Sequence, residues 1–438
     1  MIYDIIVLGG GIAGLNTVYE ISKRFPLKTV LLVEKESNLG GKVYTYSDKH
    51  MTVEAGAGRF SKTHHLVFKL IHELGLGSKI SEHTGSAVYA PINKGIQESL
   101  FDAPMDLTNA SVFDAHLTSG LDLLLGSSKL PNAGLIAKVI LASKSESPDT
   151  LRNITFLEYC SKILSESQVQ YIADSFGYYS ELVVMNAHDC INVIMSLSPW
   201  NKFYGLKGGL SQIIDGMSKM IRKNKNIKIL LNREVRKIVT NTGGIIEVIT
   251  NDNSFLGKKC VCALPVRVLE SIAFFKPLRP ILKKIKSPPL CRIYSKFDSV
   301  WFRGMPKMTT NNNLRMIIPI NERAGVIMTS YSDNKYAEFW HRLYKKSGVK
   351  GVDTEIARLM KQTIGIDIPK PVETRVFYWE SGVGYWGLGI NSKLVSRQLV
   401  QPFDEIPVYI CGETFSDESQ QWMEGALETS WRVLDRIL

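Results

Sequence analysis

The stretch IIVLGGGIAGLNTVYEI, residues 5–21, decides the fold. An apolar run of strand character stops at three glycines and passes at once into helical spacing. Ile12, Leu15, Val18, Tyr19 and Ile21 fall on one stripe. Gly9, Gly11 and Gly14 stand in G-x-G-x-x-G spacing. Gly9 permits the sharp turn, Gly11 lets a phosphate approach the backbone, and Gly14 lets helix and sheet pack closely. The helix start, with Ile12 and Ala13 in its first turn, offers free N–H groups and a positive dipole end to a diphosphate. The spacing alone also suits a plain tight turn, and the next residues settle the matter. Pro26 ends the helix, KTVLLVEKE (28–36) supplies a second strand, and Glu34 ends it beside Lys35. A carboxylate there accepts both hydroxyls of an adenosine ribose and repels a 2′-phosphate. Strand, glycine turn, helix and strand open a doubly wound parallel sheet.

The chain has 438 residues, enough for two domains, and is 45% apolar and 22% charged. Collagen-like, disordered and coiled-coil classes are excluded. No run of about 18 uncharged apolar residues spans a membrane. The opening MIYDIIVLGGG reads as a strand, lacking the basic region and cleavage site of a signal peptide. Cys160, Cys190, Cys260, Cys262, Cys291 and Cys411 form no zinc-ligand spacing. No metal is expected, and a reducing, cytoplasmic setting is. His64, His65, His116 and His188 have no triad or metal partners at telling spacing and read as structural or surface residues. The net charge of +11 is spread, with mild runs at IRKNKNIK (221–228) and HRLYKKSGVK (341–350). It suits a solvated surface, or weak attraction to nucleic acid or anionic membrane.

Further along, HHLVFKLIHELGL reads as helix, SKSESPDT (143–150) as a surface loop, and GLKGGLSQIIDGMSKMIRK (205–223) as a glycine pair joined to an amphipathic helix. IKILLNREVRKIV, GIIEVIT and KKCVCALPVRVLESI read as strands, the last turning into helix at Pro265. Aromatic and β-branched residues alternate between about 286 and 395, which predicts a second, sheet-based domain. The chain closes with strand, polar loop and helix.

NLGGKVYTY (38–46) follows Glu34, so Gly41 and Lys42 can bring backbone donors and a cation to the same diphosphate. These residues, with EAGAGRF (54–60), CALPVRVLES, YWGLGIN and CGETFSDESQQWMEGALETS, resemble the flavin-containing amine oxidases. That group includes monoamine, polyamine and L-amino-acid oxidases, with protoporphyrinogen oxidases and carotenoid desaturases as distant cousins. The resemblance covers most of the chain, in order. It implies non-covalent FAD, since no cysteine stands in the segment that bonds the flavin in some members. By position, Glu34 takes the ribose, and Gly58, Arg59 and Lys42 lie by the pyrophosphate or flavin. The Val235 backbone touches the adenine side, Gly412 and Glu413 face the ribityl chain, and Trp422 and Met423 lie by the isoalloxazine. A helix starting near Trp422 would point N–H groups at the flavin's electron-rich edge. Where many members carry a lysine, this chain has Arg292, with Lys296 the alternative after an alignment slip. Arginine is larger and permanently cationic, which weakens the expectation of rapid reaction with dioxygen. Arg59 resembles the arginine with which L-amino-acid oxidases hold a carboxylate, a bidentate task suited to guanidinium.

The expected fold is therefore α/β: a Rossmann-like FAD-binding domain (GR2-type) from 1–80, 206–285 and 396–438. A discontinuous α+β substrate domain would come from 81–205 and 286–395. The resemblance implies oxidation of an amine or amino acid, with hydride passing to flavin N5 and dioxygen reoxidising the flavin to give hydrogen peroxide. Arg59, Arg292, Tyr385, Trp386 and Trp422 are the expected positioners of substrate. A flavin desaturase or protoporphyrinogen oxidase is the alternative, and a non-catalytic flavoprotein the second.

Overall fold

The computed structural model describes residues 1–83, 87–92, 133–196, 202–241 and 243–438. His116 lies outside the described residues.

The opening motif folds as its spacing predicts. Strand Ile2–Leu8 turns through Gly9–Gly11 into helix Ile12–Arg24 and returns as strand Val30–Val33. Both strands are nearly continuous runs of buried β-branched and leucine side chains, the pattern of strands covered on two faces. Ile2–Leu8 pairs in parallel with Val30–Val33 on one side and with Ser254–Cys262 on the other. Ile227–Leu230 extends the sheet beyond Val30–Val33, and Val408–Ile410 adds beside Ser254–Cys262, both in parallel. The strands Val235–Thr240 and Ile246–Thr250 complete the seven-stranded sheet as an antiparallel edge. Segments from the start, middle and end of the chain thus meet in one sheet. Cys260 and Cys262 share a buried face with their sulfurs 3.9 Å apart.

A second sheet has the order Glu373–Trp379, Leu290–Lys296, Val326–Asp333, Met316–Asn321, Lys307–Thr309, Ala87–Tyr89, antiparallel except for the last pair. Its alternation separates two faces. Cys291 and Ile293 pack outward against Ala337, Trp340, Ile356 and Met360. Arg292 and Tyr294 point the other way, and both donate to the carbonyl oxygen of Glu54, at 2.8 and 2.7 Å. Trp379 Nε1 adds a bond to the Ala55 carbonyl at 2.7 Å. This inner face is therefore fastened to the EAGAGRF segment.

The helix Asn334–Ile364 interrupts the region expected to alternate as strands. Its apolar stripe reads clearly only after the break at Gly348 (φ 60°, ψ −164°), which divides 31 residues into two shorter helices. Of the run SKSESPDT, expected as a surface loop, only 144–147 connect two helices: Ser143 ends Ala133–Ser143, and the Ser147 side chain accepts from Thr150 N and caps the helix Pro148–Arg152.

Candidate active site

At the carboxyl end of Ile2–Leu8 the backbone is tightly confined. Gly9 has φ +97°, and a side chain there would meet the Ala263 carbonyl oxygen at 2.4 Å. A Cβ on Gly14 would stand 2.0 Å from the Gly9 oxygen, so the helix can lie this close to the strand only on glycine. Gly11 differs, because a Cβ there would meet nothing within 4 Å. Gly41 crosses beside it, so two glycine loops flank an open trough, joined by the Gly40 N–Gly10 O bond of 2.8 Å. Ile12 and Ala13 open a helix with no side-chain cap and no acid in its first turn. Its free N–H groups and dipole end suit an anion in that trough.

Glu34, buried, accepts from Gly10 N at 2.6 Å and from Glu36 N at 2.9 Å. Backbone bonds from Asn232 and Arg233 to Glu36 and Glu34 carry the chain past this carboxylate toward Val235, which starts its strand half-buried. Lys35 is largely exposed and pairs with Glu36. Lys42 Nζ contacts Glu413 Oε1 at 2.5 Å and the Gly382 carbonyl at 2.7 Å, linking the second glycine loop to the closing segment. Gly412 (φ +145°) turns Val408–Ile410 away from the sheet and is tied through its N–H to Thr429 Oγ1. The other Glu413 oxygen accepts from Gln421 N at 3.2 Å.

Gln421 has φ +77°, a strained conformation for a residue with a side chain. It sets Trp422 as the N-cap of Met423–Ile437, again with no side-chain cap. The only first-turn acid, Glu424, accepts instead from Leu66 N and Val67 N of a neighbouring helix. Trp422 stacks on Phe203 at 5.9 Å and 14°, and the His64 edge meets it at 4.9 Å. The Arg59 guanidinium lies 4.0 Å over Phe203 and 5.7 Å from the Trp422 ring. His64 Nδ1 accepts from Ser61 N, and burial pushes its pKa down to about 4, so the ring is neutral at pH 7.

The inner face of the second sheet supplies the opposite wall. Arg292 pairs across the strands with Tyr331, its guanidinium 4.7 Å from the ring. Gly58 fits against it, since a Cβ there would meet Arg292 Nη1 at 3.1 Å. Arg59 Nη2 donates to the Tyr178 hydroxyl at 3.1 Å, and Tyr178 meets Tyr331 edge-on. Two residues past Tyr331 on the same face, Asp333 accepts from Ser180 N at 2.9 Å. That bond brings Glu181 alongside. Glu181 and Asp333 are only 4% and 5% exposed, and Glu181 Oε2 and Asp333 Oδ1 have no hydrogen-bond partner among the described residues. Burial, with Asp333 adding to it, pushes the Glu181 carboxyl up to about 8, and burial also raises Asp333. Tyr385 is buried, and its hydroxyl is held well above the usual phenol range by burial and by Glu181, Asp333, Tyr331 and Glu413. Lys307, half-buried, lies 5.9 Å from the Tyr178 ring, and burial with Arg59 nearby lowers it to about 7.

The structure thus gathers Arg59, Arg292, Tyr385 and Trp422 around one region, while Trp386 sits apart. Trp386 is 1% exposed in the core beneath the seven-stranded sheet, its Nε1 donating to Ser416 O at 2.9 Å. Lys296 does not replace Arg292. Its Nζ bonds the Phe297 carbonyl and Asp298 at the far end of the strand. Sequence reasoning missed Glu181, Asp333, Tyr178, Tyr331, Phe203 and Lys307. They come from distant segments with no local motif, and only an acid in the apolar run YYSELVV could have flagged Glu181.

The comparisons with known proteins come to the same place. The sequence profile of the flavin containing amine oxidoreductases matches residues 12–438. An uncharacterized protein of Acanthamoeba polyphaga mimivirus is 22% identical, over 98% of this chain and 93% of its own length. The probable flavin-containing monoamine oxidase A of Dictyostelium discoideum is 20% identical, over 64% of this chain and 61% of its own. Among solved structures, a putrescine oxidase bound to putrescine superimposes with a TM-score of 0.73 at 15% identity, covering 100% of this chain and 99% of that one. A protein assigned as a protoporphyrinogen oxidase from an Exiguobacterium species gives 0.72 at 15%, covering 99% and 98%.

Fold and site together define an FAD-dependent oxidoreductase. The chain belongs to the flavin-containing amine oxidoreductase family. Its residues fit the cofactor: an open glycine trough, two helix starts without side-chain caps, and buried donors at Arg292 Nε and Gln421 Nε2 with no partner among the described residues. Among the described residues no group of three or more potential ligands is placed to hold a metal ion, and no helix is long and apolar enough to cross a membrane.

Proposed function

We propose that this enzyme oxidises a small amine at the carbon bearing nitrogen, with Glu181 and Asp333 selecting the substrate's cationic group. FAD, when bound, supplies the two-electron acceptor, and dioxygen then takes the electrons to give hydrogen peroxide. In this assignment Gly11, Gly41, Glu34, Lys42, Glu413 and the Val235 backbone hold the adenosine and phosphate end. Trp422, Met423 and Arg292 flank the ring end.

The unpartnered carboxyl pair carries the proposal. Two buried acids with a free oxygen each are costly unless a cation or a proton compensates them, by several kcal/mol. An ammonium supplies that compensation, whereas a large apolar polyene or porphyrin face would bury the pair unpaired. Once ionised, above about pH 8, Glu181 is also the group suited to take the ammonium's extra proton, which frees the nitrogen lone pair before the carbon–hydrogen bond breaks. Arg292 is fixed on the Glu54 carbonyl with its Nε unpartnered among the described residues, and Trp422 stacks on Phe203 beside Arg59.

A second reading rests on its own observation. Arg59 and Lys307 flank Tyr178 and join no carboxylate among the described residues, which suits a substrate carboxylate and so an amino acid. Anaerobic mixing with amines, amino acids and polyamines tests both. Bleaching of the flavin by amines supports the first reading, and bleaching by amino acids alone supports the second. Turnover only with a polyene or porphyrinogen contradicts both.

A further inference from the structure

The surface at the amino end of the parallel strands, opposite the glycine trough, combines exposed apolar side chains with cations. Between helix Ile12–Arg24 and strand Val30–Val33 the chain runs Phe25-Pro26-Leu27-Lys28, at the amino end of the parallel strands. Leu27 is 87% exposed, Phe25 38%, and Met220 of the adjacent helix 44%. This is an ordered feature: Lys28 N bonds Phe25 O at 3.0 Å, and the Asn224 and Asn226 side chains both donate to Pro26 O at 3.0 Å. A groove of about 530 Å³ lies between the two loops, lined by Tyr19, Lys23, Pro26, Met220, Lys223 and Lys225.

Lys223 and Lys225 line it, and Lys28, Lys219, Arg222 and Lys228 stand on the chain segments next to these lining residues, all six exposed. None is in an ion pair among the described residues, while Glu20 and Glu73 are taken up by Lys23 and Arg24. Helix dipoles account for a cation in a last turn, such as Lys219, but not for Lys225, Lys228 or Lys28. Leu27 contributes nothing to a helix end or to the core.

We propose that this patch docks the enzyme peripherally on an anionic lipid surface. Leu27, Phe25 and Met220 enter the headgroup–acyl boundary, and Lys223, Lys225 and their neighbours meet lipid phosphates. The net charge of +11 favours the same approach at longer range. Nucleic acid would use the cations but has no use for a leucine held out in solvent, so lipid accounts for more of the patch. The glycine trough opens at the opposite ends of the strands, so docking leaves it free.

Flotation of the holoenzyme with phosphatidylcholine vesicles, with and without about one third phosphatidylserine, tests this. The protein should float with the anionic vesicles only. Lys223→Glu/Lys225→Glu should lower partition by roughly tenfold or more, and the charge-neutral Leu27→Ser by about threefold. Flavin content and turnover in solution stay unchanged in both variants, which separates lost docking from lost folding. Equal partition to both vesicle types overturns the proposal. So does duplex DNA binding lost in the double variant together with vesicle binding indifferent to Leu27→Ser.

Discussion

The two ends of the site are built in opposite ways. At the adenosine end, backbone does the work: Gly9, Gly11, Gly14 and Gly41 shape a trough, and helix N–H groups face it. At the ring end, side chains from distant segments converge: Arg59, Tyr178, Glu181, Arg292, Tyr331, Asp333 and Tyr385. The first end tolerates no added atoms at Gly9 and Gly14 and relies chiefly on backbone groups. The second holds ionisable groups in a buried space and leaves two carboxyl oxygens unpaired among the described residues. A glycine-built end suits a resident that never changes, and a charge-built end suits a visitor chosen by its own charge.

The largest expected effect breaks the first end. Gly14→Val puts a side chain against the Gly9 oxygen, where a Cβ already stands at 2.0 Å. Loss of flavin, and destabilisation by more than about 3 kcal/mol, should follow. Flavin absorbance per chain and a thermal melt measure both. Next comes the carboxyl pair. Glu181→Gln and Asp333→Asn should raise the amine KM by roughly 10- to 100-fold with flavin content unchanged. Unchanged KM in both variants would remove the charge-selection argument. Lys42→Met acts at the joint between the ends, leaving Glu413 without its cation; FAD affinity should fall by roughly tenfold, measured by flavin release on dilution.

The smallest effects are in pH dependence, and they have opposite signs. Glu181, at about 8, holds a proton in the folded protein that the unfolded chain lacks between about pH 4.5 and 8. Stability therefore falls as pH rises through that window, and Glu181→Gln should flatten the slope. Lys307, at about 7, lacks a proton that the unfolded chain holds between about pH 7 and 10.5. Stability rises with pH there, and Lys307→Met should flatten that slope. Denaturant melts across both windows read the two directly.

This contrast also governs what the sequence disclosed. The glycine loop, Glu34, the GGK turn and the closing GETFSDESQQWMEGAL are local, and local spacing carries their geometry. Trp422 was legible because it begins a helix beside a recognisable signature. Glu181 was not, because its meaning depends on the Ser180–Asp333 bond, which joins residues 153 apart. The helix Asn334–Ile364 escaped notice because Gly348 breaks its stripe in the middle. Trp386 looked like a wall of the site beside Tyr385, yet alternation along a two-residue strand sends it into the core.

The most direct test is anaerobic titration of the flavin with a small primary amine, in the wild type and in Glu181→Gln/Asp333→Asn. The account predicts full bleaching of the wild-type flavin at low amine concentration. In the double variant the titration should shift by at least tenfold, with the flavin still bound. Bleaching by an uncharged polyene or porphyrinogen to the same extent in both proteins, with no response to amines, would contradict it.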